Sequence, residues 1–178
     1  MQKAFLNDRD DRLDAIVVPE PTDEYEANLA LVYQDQTTLA CASQVRNRLA
    51  ELVGEDAIQC TEWNINDLKV PSIYSQGVAA LARADVIVVS LYEAERLPSV
   101  FYLWVNLWLQ VRSGRPGALA SLVVPNDQPG QRSLETRRYL CAVASQGRLE
   151  LLECKRPSTP IRGLNVLQSA IGQLRRGR

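Results

Sequence analysis

The sequence predicts an α/β fold, a three-layer αβα sandwich on a five-stranded parallel sheet with strand order 2-1-3-4-5. Short apolar runs typical of buried strands alternate with amphipathic helical segments along most of the chain. Parallel neighbouring strands require helical crossovers, and the segments between the apolar runs are long enough to provide them. The 178 residues, 46 % hydrophobic and 23 % charged, suit a single buried core.

The five strands are predicted from apolar runs. The clearest run is at 85–91, where four β-branched residues stand in succession from Val86 to Val89, and this strand is expected to be central. The other strands are predicted at 29–33, 57–61, 118–124 and 149–154.

Five helices are predicted from apolar residues recurring at steps of three and four and from their end signals. Gly54 stops the first helix, Pro71 and Pro98 introduce the second and third, and Gly114 and Gly147 end the third and fourth. The predicted ranges are 39–53, 71–82, 99–113, 133–146 and 164–175.

Charge divides the chain into an acidic N-terminal extension, residues 1–27, and one domain, residues 28–178. The extension holds eight acidic and three basic side chains, whereas residues 155–178 hold six bases and no acid. These segments could contact each other, within one chain or between two, or the basic tail could meet a phosphate-rich partner. A net charge of -1 and a tail without interleaved aromatic residues argue against nucleic-acid binding.

The absence of histidine is the strongest constraint on function. It excludes Ser-His-Asp and Cys-His catalysis and most transition-metal sites, and the four scattered cysteines form no C-x-x-C pair. We therefore expect no catalytic residue and no metal ligand. The N-terminus becomes charged before any hydrophobic stretch forms, and no apolar run could cross a bilayer, which predicts a cytoplasmic protein without membrane contact.

The predicted strand order also predicts where a ligand would bind. In this order, ligands lie at the carboxyl ends of the strands, beside the switch between the first and third strands. The candidate ligand-binding residues in the loops at that edge are Asp35, Thr37, Thr38, Ser90, Tyr92 and Asn126.

The stretch at 84–92, followed by Pro98 and a helix with two tryptophans, resembles the corresponding region of flavodoxins and NADPH-dependent flavin mononucleotide (FMN) reductases. The resemblance is sharp only over residues 84–109. It implies a flavodoxin-like fold, with Tyr92 in the position of the aromatic residue beside the flavin ring.

Flavodoxins also hold the flavin phosphate in a loop rich in serine, threonine and glycine after the first strand. This chain has Gln-Asp-Gln-Thr-Thr at 34–38, with two hydroxyls, no glycine and a negative charge at Asp35. Two interpretations are open: Asp35 or Thr37 caps the helix, or the loop binds phosphate. Capping is favoured.

A second resemblance is to response-regulator receiver domains, which share this fold. Asp35 and Lys155 match the acidic and lysine positions of that family. Ser90 stands in place of the phosphoacceptor aspartate, while Pro125 falls near the family's Ser/Thr position and Asn126 follows it. The resemblance implies a receiver-like module that has lost phosphotransfer.

The helix predicted at 99–113 is unusual because apolar side chains cover about 260° of its circumference at 100° per residue. A helix on one face of a sheet needs about 100° of apolar surface. We expect Val100, Leu103, Leu107 and Val111 to pack on the sheet. The outward side would then form a homodimer interface of Phe101, Trp104, Val105, Trp108 and Leu109, or be covered by residues 1–27.

Two functional hypotheses follow from the sequence. The first is a non-catalytic flavodoxin-like or receiver-like module that acts through protein association and carries no cofactor. The alternative is a flavin-dependent NAD(P)H oxidoreductase that binds FMN at the carboxyl ends of the strands, since the cofactor performs hydride transfer and needs no histidine.

Overall fold

The computed structural model describes residues 27–92, 97–124 and 132–154. Within these ranges, five parallel strands form one sheet in the order β2-β1-β3-β4-β5, so the predicted α/β fold class is confirmed. The strands are β1 (Ala27–Tyr33), β2 (Ile58–Asn64), β3 (Val86–Tyr92), β4 (Gly117–Val124) and β5 (Leu149–Cys154). The described residues do not include residues 1–26 of the acidic extension, Asn126, Lys155 or the helix predicted at 164–175, whereas Ala27, assigned to the extension, is the first residue of β1.

Four described helices flank this sheet: α1 (Gln36–Val53), α2 (Pro71–Arg83), α3 (Ser99–Arg112) and α4 (Arg132–Gln146). Helix α1 packs on one face of the sheet, and α2, α3 and α4 pack on the other. Two short 3₁₀ turns lie at Glu55–Ala57 and Ile65–Lys69. The second turn buries Ile65 and Leu68. The sequence did not predict this turn, because the strand before it was expected to end at residue 61, whereas β2 continues to Asn64. None of the described helices is long and apolar enough to cross a membrane.

Strand β3 is the centre of the sheet, as its β-branched run predicts. It pairs with β1 on one side and β4 on the other, and it is buried from Val86 to Leu91. Its side chains alternate between the two layers: Val86 and Val88 pack toward α1, whereas Val89 and Leu91 pack toward α2 and α3. Near its carboxyl end, Ser90 pairs with Tyr33 of β1 and with Leu122 of β4.

The orientation predicted for α3 is wrong. The residues expected to face outward are all buried in the chain's own core: Phe101, Trp104, Val105, Trp108 and Leu109. The residues expected to pack on the sheet include Leu103, Leu107 and Val111, which are exposed, Leu103 by 63 %. The large aromatic rings bury more apolar area than leucine or valine, so the fold turns the aromatic side inward.

The packing of Trp104 against α2 fixes this orientation. A Cβ placed on Gly77 would lie 2.6 Å from the indole Cζ2, so only glycine admits the ring at this distance. The indole N–H donates to the main-chain oxygen of Tyr74 at 3.1 Å, which satisfies its buried polar atom. The core of the protein therefore contains all five residues of the predicted interface, and they do not form a surface on which a dimer could assemble. Homodimer formation itself stays a prediction.

Candidate functional site

The junction between β1 and α1 is a closed hydrogen-bonded turn. Asp35 is the N-cap of α1, and its Oδ1 accepts from the Thr38 backbone N–H at 2.9 Å. The Thr38 hydroxyl accepts from the backbone N–H groups of Asp35 at 2.8 Å and Gln34 at 2.9 Å. This reciprocal arrangement is a capping box, and it satisfies backbone donors that would otherwise face solvent or a ligand. Of the two interpretations of this loop, helix capping by Asp35 is the one observed.

Tyr92, the last residue of β3, connects this turn to the neighbouring strand. Its hydroxyl donates to Asp35 Oδ2 at 2.7 Å, and its backbone N–H donates to Gln34 Oε1 at 2.8 Å. Asn66, in the turn after β2, donates its side-chain N–H to the Gln34 main-chain oxygen at 2.8 Å. Three loops at the carboxyl edge are thus joined through Gln34 and Asp35, at the switch between β1 and β3.

Ser90 lies on the same face of β3 as Val86 and Val88, the face that packs toward α1. The residue is fully buried, and its Oγ has no hydrogen-bond partner among the described residues. A buried hydroxyl without a partner costs about 1 to 3 kcal/mol, which a folded protein normally avoids. A polar group of a bound molecule would provide that partner.

Acidic groups set the electrostatics near the ends of β1 and β3. The Thr38 backbone N–H lowers the pKa of Asp35, and the Tyr92 hydroxyl lowers it further, so the carboxylate is ionised at neutral pH. Burial raises the pKa of Tyr33 at the end of β1, and the charges of Glu62 and Asp67 add to that rise. Burial also raises the pKa of Cys41 in the second turn of α1, with a further contribution from Asp35.

The structure brings together most of the ligand-binding residues that the sequence predicts. Asp35, Thr38 and Tyr92 share one hydrogen-bond network, and Ser90 lies on the same strand as Tyr92. Thr37 is exposed, and its backbone N–H also stabilises the Asp35 carboxylate. Asn126 lies outside the described residues. The function of these residues as a ligand site stays a prediction.

Sequence reasoning missed Gln34 and Asn66. Gln34 directly follows β1, and that position was the available signal. Asn66 contacts it only because a 3₁₀ turn extends past β2. Among residues 27–92, 97–124 and 132–154, no three or more Asp, Glu or Cys side chains are grouped so that they could hold a metal ion.

The amino edge of the sheet has a different construction. Arg112 at the end of α3 is only 3 % exposed, and its guanidinium donates to four main-chain oxygens, those of Leu81, Ala84, Arg115 and Pro116. Burial and, to a lesser extent, the charge of Arg115 lower the pKa of Arg112 to about 10, while the charge of Asp85 opposes the shift. This pKa keeps the guanidinium protonated at neutral pH.

Asp85, which directly precedes β3, completes this network at the amino edge. Its carboxylate accepts from the Asn28 backbone N–H at 2.9 Å and from Arg115 at 2.7 Å. Gly117 leaves room for the network, because a Cβ at that position would collide with the Arg112 guanidinium and the Asp85 main-chain oxygen.

No protein-family model matches this chain, and no curated protein matches its sequence. Solved structures do match it. A short-chain flavodoxin associated with a bacterial microcompartment is 15 % identical at a TM-score of 0.51, covering 83 % of this chain and 96 % of its own. The chain has the flavodoxin-like fold.

Two further solved structures match the chain at TM-scores below 0.5. A flavodoxin from Streptococcus pneumoniae TIGR4 is 12 % identical at a TM-score of 0.48, covering 85 % of this chain and 99 % of its own. An NADH:FMN oxidoreductase is 14 % identical at a TM-score of 0.49, and the match covers 85 % of this chain and 89 % of its own. At these identities the likeness concerns the fold alone. The sequence-based resemblance to flavodoxins is confirmed at that level.

These comparisons correct the expectation that the chain carries no cofactor. The solved structure that matches this chain at a TM-score of 0.51 is a flavodoxin, and this finding conflicts with a domain that carries no cofactor.

The described residues fit one part of FMN and not another. Tyr92 provides an aromatic side chain at the switch point, and the buried Ser90 Oγ needs a polar partner. The backbone donors of Thr37 and Thr38, which could bind a phosphate, instead stabilise the Asp35 carboxylate. The β1–α1 turn as observed therefore does not accommodate a phosphate group.

Proposed function

We propose that this chain is a flavoprotein of the flavodoxin-like type, which binds a flavin at the carboxyl edge of its sheet, between the β1–α1 turn and the end of β3. The observation that carries the proposal is the convergence of Gln34, Asp35 and Tyr92 at the switch point, beside the unpartnered hydroxyl of Ser90. Ligands of this strand order lie in the crevice at that place.

The fold comparisons support a flavin over other ligand classes, since the similar structures named above are flavodoxins and an NADH:FMN oxidoreductase. The composition supports it independently. A flavin supplies hydride and electron transfer itself when bound, and the protein is left to bind and orient it. A chain without histidine can perform that task.

The residues of this chain have separate parts in that task. Tyr92 would contact the flavin through its ring, and its backbone N–H is already held in place by Gln34. Asn66 holds the main chain of Gln34 from the other side, so the wall of the crevice is positioned by residues on three loops. Ser90 would accept or donate one hydrogen bond on the face of β3 that packs toward α1.

The proposal is tested by purifying the protein and titrating it with riboflavin and with FMN. We expect saturable quenching of flavin fluorescence with at least one of them, at a stoichiometry of one per chain. Tyr92→Ala should weaken binding about tenfold, because a lost aromatic stacking contact costs on the order of 1 to 1.5 kcal/mol. Leu103→Ala, on the exposed side of α3, is the matched control and should bind as the wild type does. If neither flavin binds, the proposal is wrong.

A second candidate function is a module that acts through protein association. It is favoured by the three exposed apolar side chains along one side of α3, Leu103, Leu107 and Val111. Size-exclusion chromatography with light scattering tests it. A dimer that Leu103→Glu converts to a soluble monomer would support this function, and a wild type that is monomeric at high micromolar concentration would contradict self-association.

A further inference from the structure

We infer that the crevice selects a flavin without a phosphate, riboflavin or a ligand with the same neutral polyol chain, and discriminates against FMN. This inference rests on the proposed function and specifies its ligand. It follows from the side chains of the β1–α1 turn, which occupy the phosphate position with an anion of the protein's own.

The N-terminus of α1 already holds a negative charge. A helix N-terminus attracts anions because its first backbone N–H groups are unpaired and its dipole is positive there. In this chain the Asp35 carboxylate accepts from the Thr38 N–H at 2.9 Å and is stabilised by the Thr37 N–H. A phosphate would have to displace the carboxylate from these donors and then remain beside it.

Further acidic side chains lie near the turn. Glu62 and Asp67 act on Tyr33 at the end of β1, and Asp35 acts on Cys41, so acidic groups influence both sides of the switch point. Two charges of like sign in contact repel each other even in water, and a phosphate monoester carries almost two negative charges at neutral pH. The phosphate of FMN is therefore repelled by these acidic groups, whereas riboflavin, which has no phosphate, is not.

Asp35 and Ser90 can form hydrogen bonds with the hydroxyl groups of a ligand. An exposed carboxylate accepts hydrogen bonds from alcohol O–H groups, and Asp35 Oδ2 already accepts one from Tyr92 at 2.7 Å. A ligand hydroxyl can replace the tyrosine hydroxyl without a change in charge. The Ser90 Oγ, fully buried without a partner among the described residues, can pair with a further polar atom of a ligand.

The experiment compares riboflavin and FMN in equilibrium fluorescence titrations of the wild type, Asp35→Asn and Asp56→Asn. Asparagine caps helices as well as aspartate, so Asp35→Asn removes the charge and keeps the helix start. Asp56→Asn makes the same chemical change at an exposed position before β2, at the opposite edge of the sheet, and serves as the control.

We expect the wild type to bind riboflavin about tenfold more tightly than FMN, as one to two like-charge contacts predict. Asp35→Asn should raise FMN affinity about tenfold and should not raise riboflavin affinity, while Asp56→Asn leaves both unchanged. Raising the salt concentration should narrow the difference in the wild type, since exposed charges are screened. Ser90→Ala should weaken riboflavin binding several-fold without lowering the thermal unfolding temperature.

The outcomes separate the inference from the proposed function. Tighter binding of FMN than of riboflavin by the wild type would overturn the inference and leave the flavoprotein proposal standing. A riboflavin preference unaffected by both Asp35→Asn and salt would also overturn it, because the Asp35 charge would not be its cause. Failure of both flavins to bind would overturn the proposed function and the inference together. If Asp35→Asn does not fold, the salt dependence of the wild type still decides.

Discussion

The two edges of the sheet are built on opposite principles. At the amino edge, Arg112 and Asp85 are almost fully buried and every interaction is direct: one guanidinium reaches four main-chain oxygens, and one carboxylate binds Asn28 and Arg115. At the carboxyl edge, the charged group of the network, Asp35, is exposed, and a buried hydroxyl lies nearby without a partner. The amino edge is built for stability, whereas the carboxyl edge is where we propose that a ligand binds.

The largest effect is expected from Arg112→Met. The substitution removes the hydrogen bonds from the guanidinium to the main-chain oxygens of Leu81, Ala84, Arg115 and Pro116. The bonds to Leu81 and Ala84 are buried, and the loss of a donor to a buried acceptor costs about 1 to 3 kcal/mol, so we expect a loss of at least about 2 kcal/mol in the free energy of unfolding. Urea denaturation measures it, with Arg138→Met at an exposed position of α4 as the control. A loss below about 1 kcal/mol would contradict a stabilising function for this edge.

A smaller loss is expected from Asp85→Asn. The amide oxygen can still accept from the Asn28 backbone N–H, but the ion pair with Arg115 at 2.7 Å is lost. Arg115 is about one-third exposed, so solvent screens part of the attraction, and we expect a loss of about 1 to 2 kcal/mol in unfolding free energy. Chemical denaturation beside Asp56→Asn checks this value. Equal stability of the two variants would mean that the ion pair contributes nothing.

At the carboxyl edge, Asp35→Ala should cost about 1 kcal/mol because it removes the α1 cap, and Asp35→Asn should cost much less. The pKa of Asp35 is lowered in the fold from its ordinary value of 3.8. The ionised cap therefore stabilises the fold above that value and loses its contribution as the pH falls through the folded pKa. Unfolding curves at neutral and acidic pH should show the difference between wild type and Asp35→Ala shrinking in acid; a difference that grows would contradict the cap.

The smallest stability change is expected from Tyr92→Phe. It removes the hydroxyl that donates to Asp35 Oδ2 and keeps both the ring and the backbone hydrogen bond to Gln34. The lost bond is exposed, so thermal unfolding should reveal a loss of no more than about 0.5 to 1 kcal/mol. A loss well above that range would make Tyr92 a structural residue of the same kind as Arg112, and the contrast between the edges would disappear.

The sequence predicts the fold well because its signals are local. The β-branched run Val86–Val89 identifies the central strand. The capping residues before α1 identify the start of that helix, and the structure selects Asp35 over Thr37 as its N-cap. The orientation of α3 could not be predicted in this way, since apolar residues surround most of the helix and periodicity alone does not select one side. The contact between Gly77 on α2 and Trp104 on α3 selects it, and that contact joins residues distant in sequence.

At both edges of the sheet, contacts between residues distant in sequence could not be predicted. The Arg112 network depends on oxygens from α2 and the α3–β4 loop, so a lone arginine at the end of an apolar helix gave no sign of it. At the carboxyl edge, the predicted residues Asp35, Thr38 and Tyr92 do meet, because parallel strands bring their ends together. The contact that joins them through the Gln34 side chain spans β1 and β3, and only the folded structure reveals it.

The most direct test of this account is to map flavin binding on the ¹⁵N-labelled protein by NMR, adding riboflavin to saturation. We predict chemical-shift changes at the backbone amides of residues 34–38 and 90–92, with amides beside Asn28, Asp85 and Arg112 unchanged. The Ser90→Ala variant should show the same pattern at higher riboflavin concentrations. Shifts confined to the amino edge, or none at saturating riboflavin and FMN, would contradict the assignment of the carboxyl edge as the ligand site.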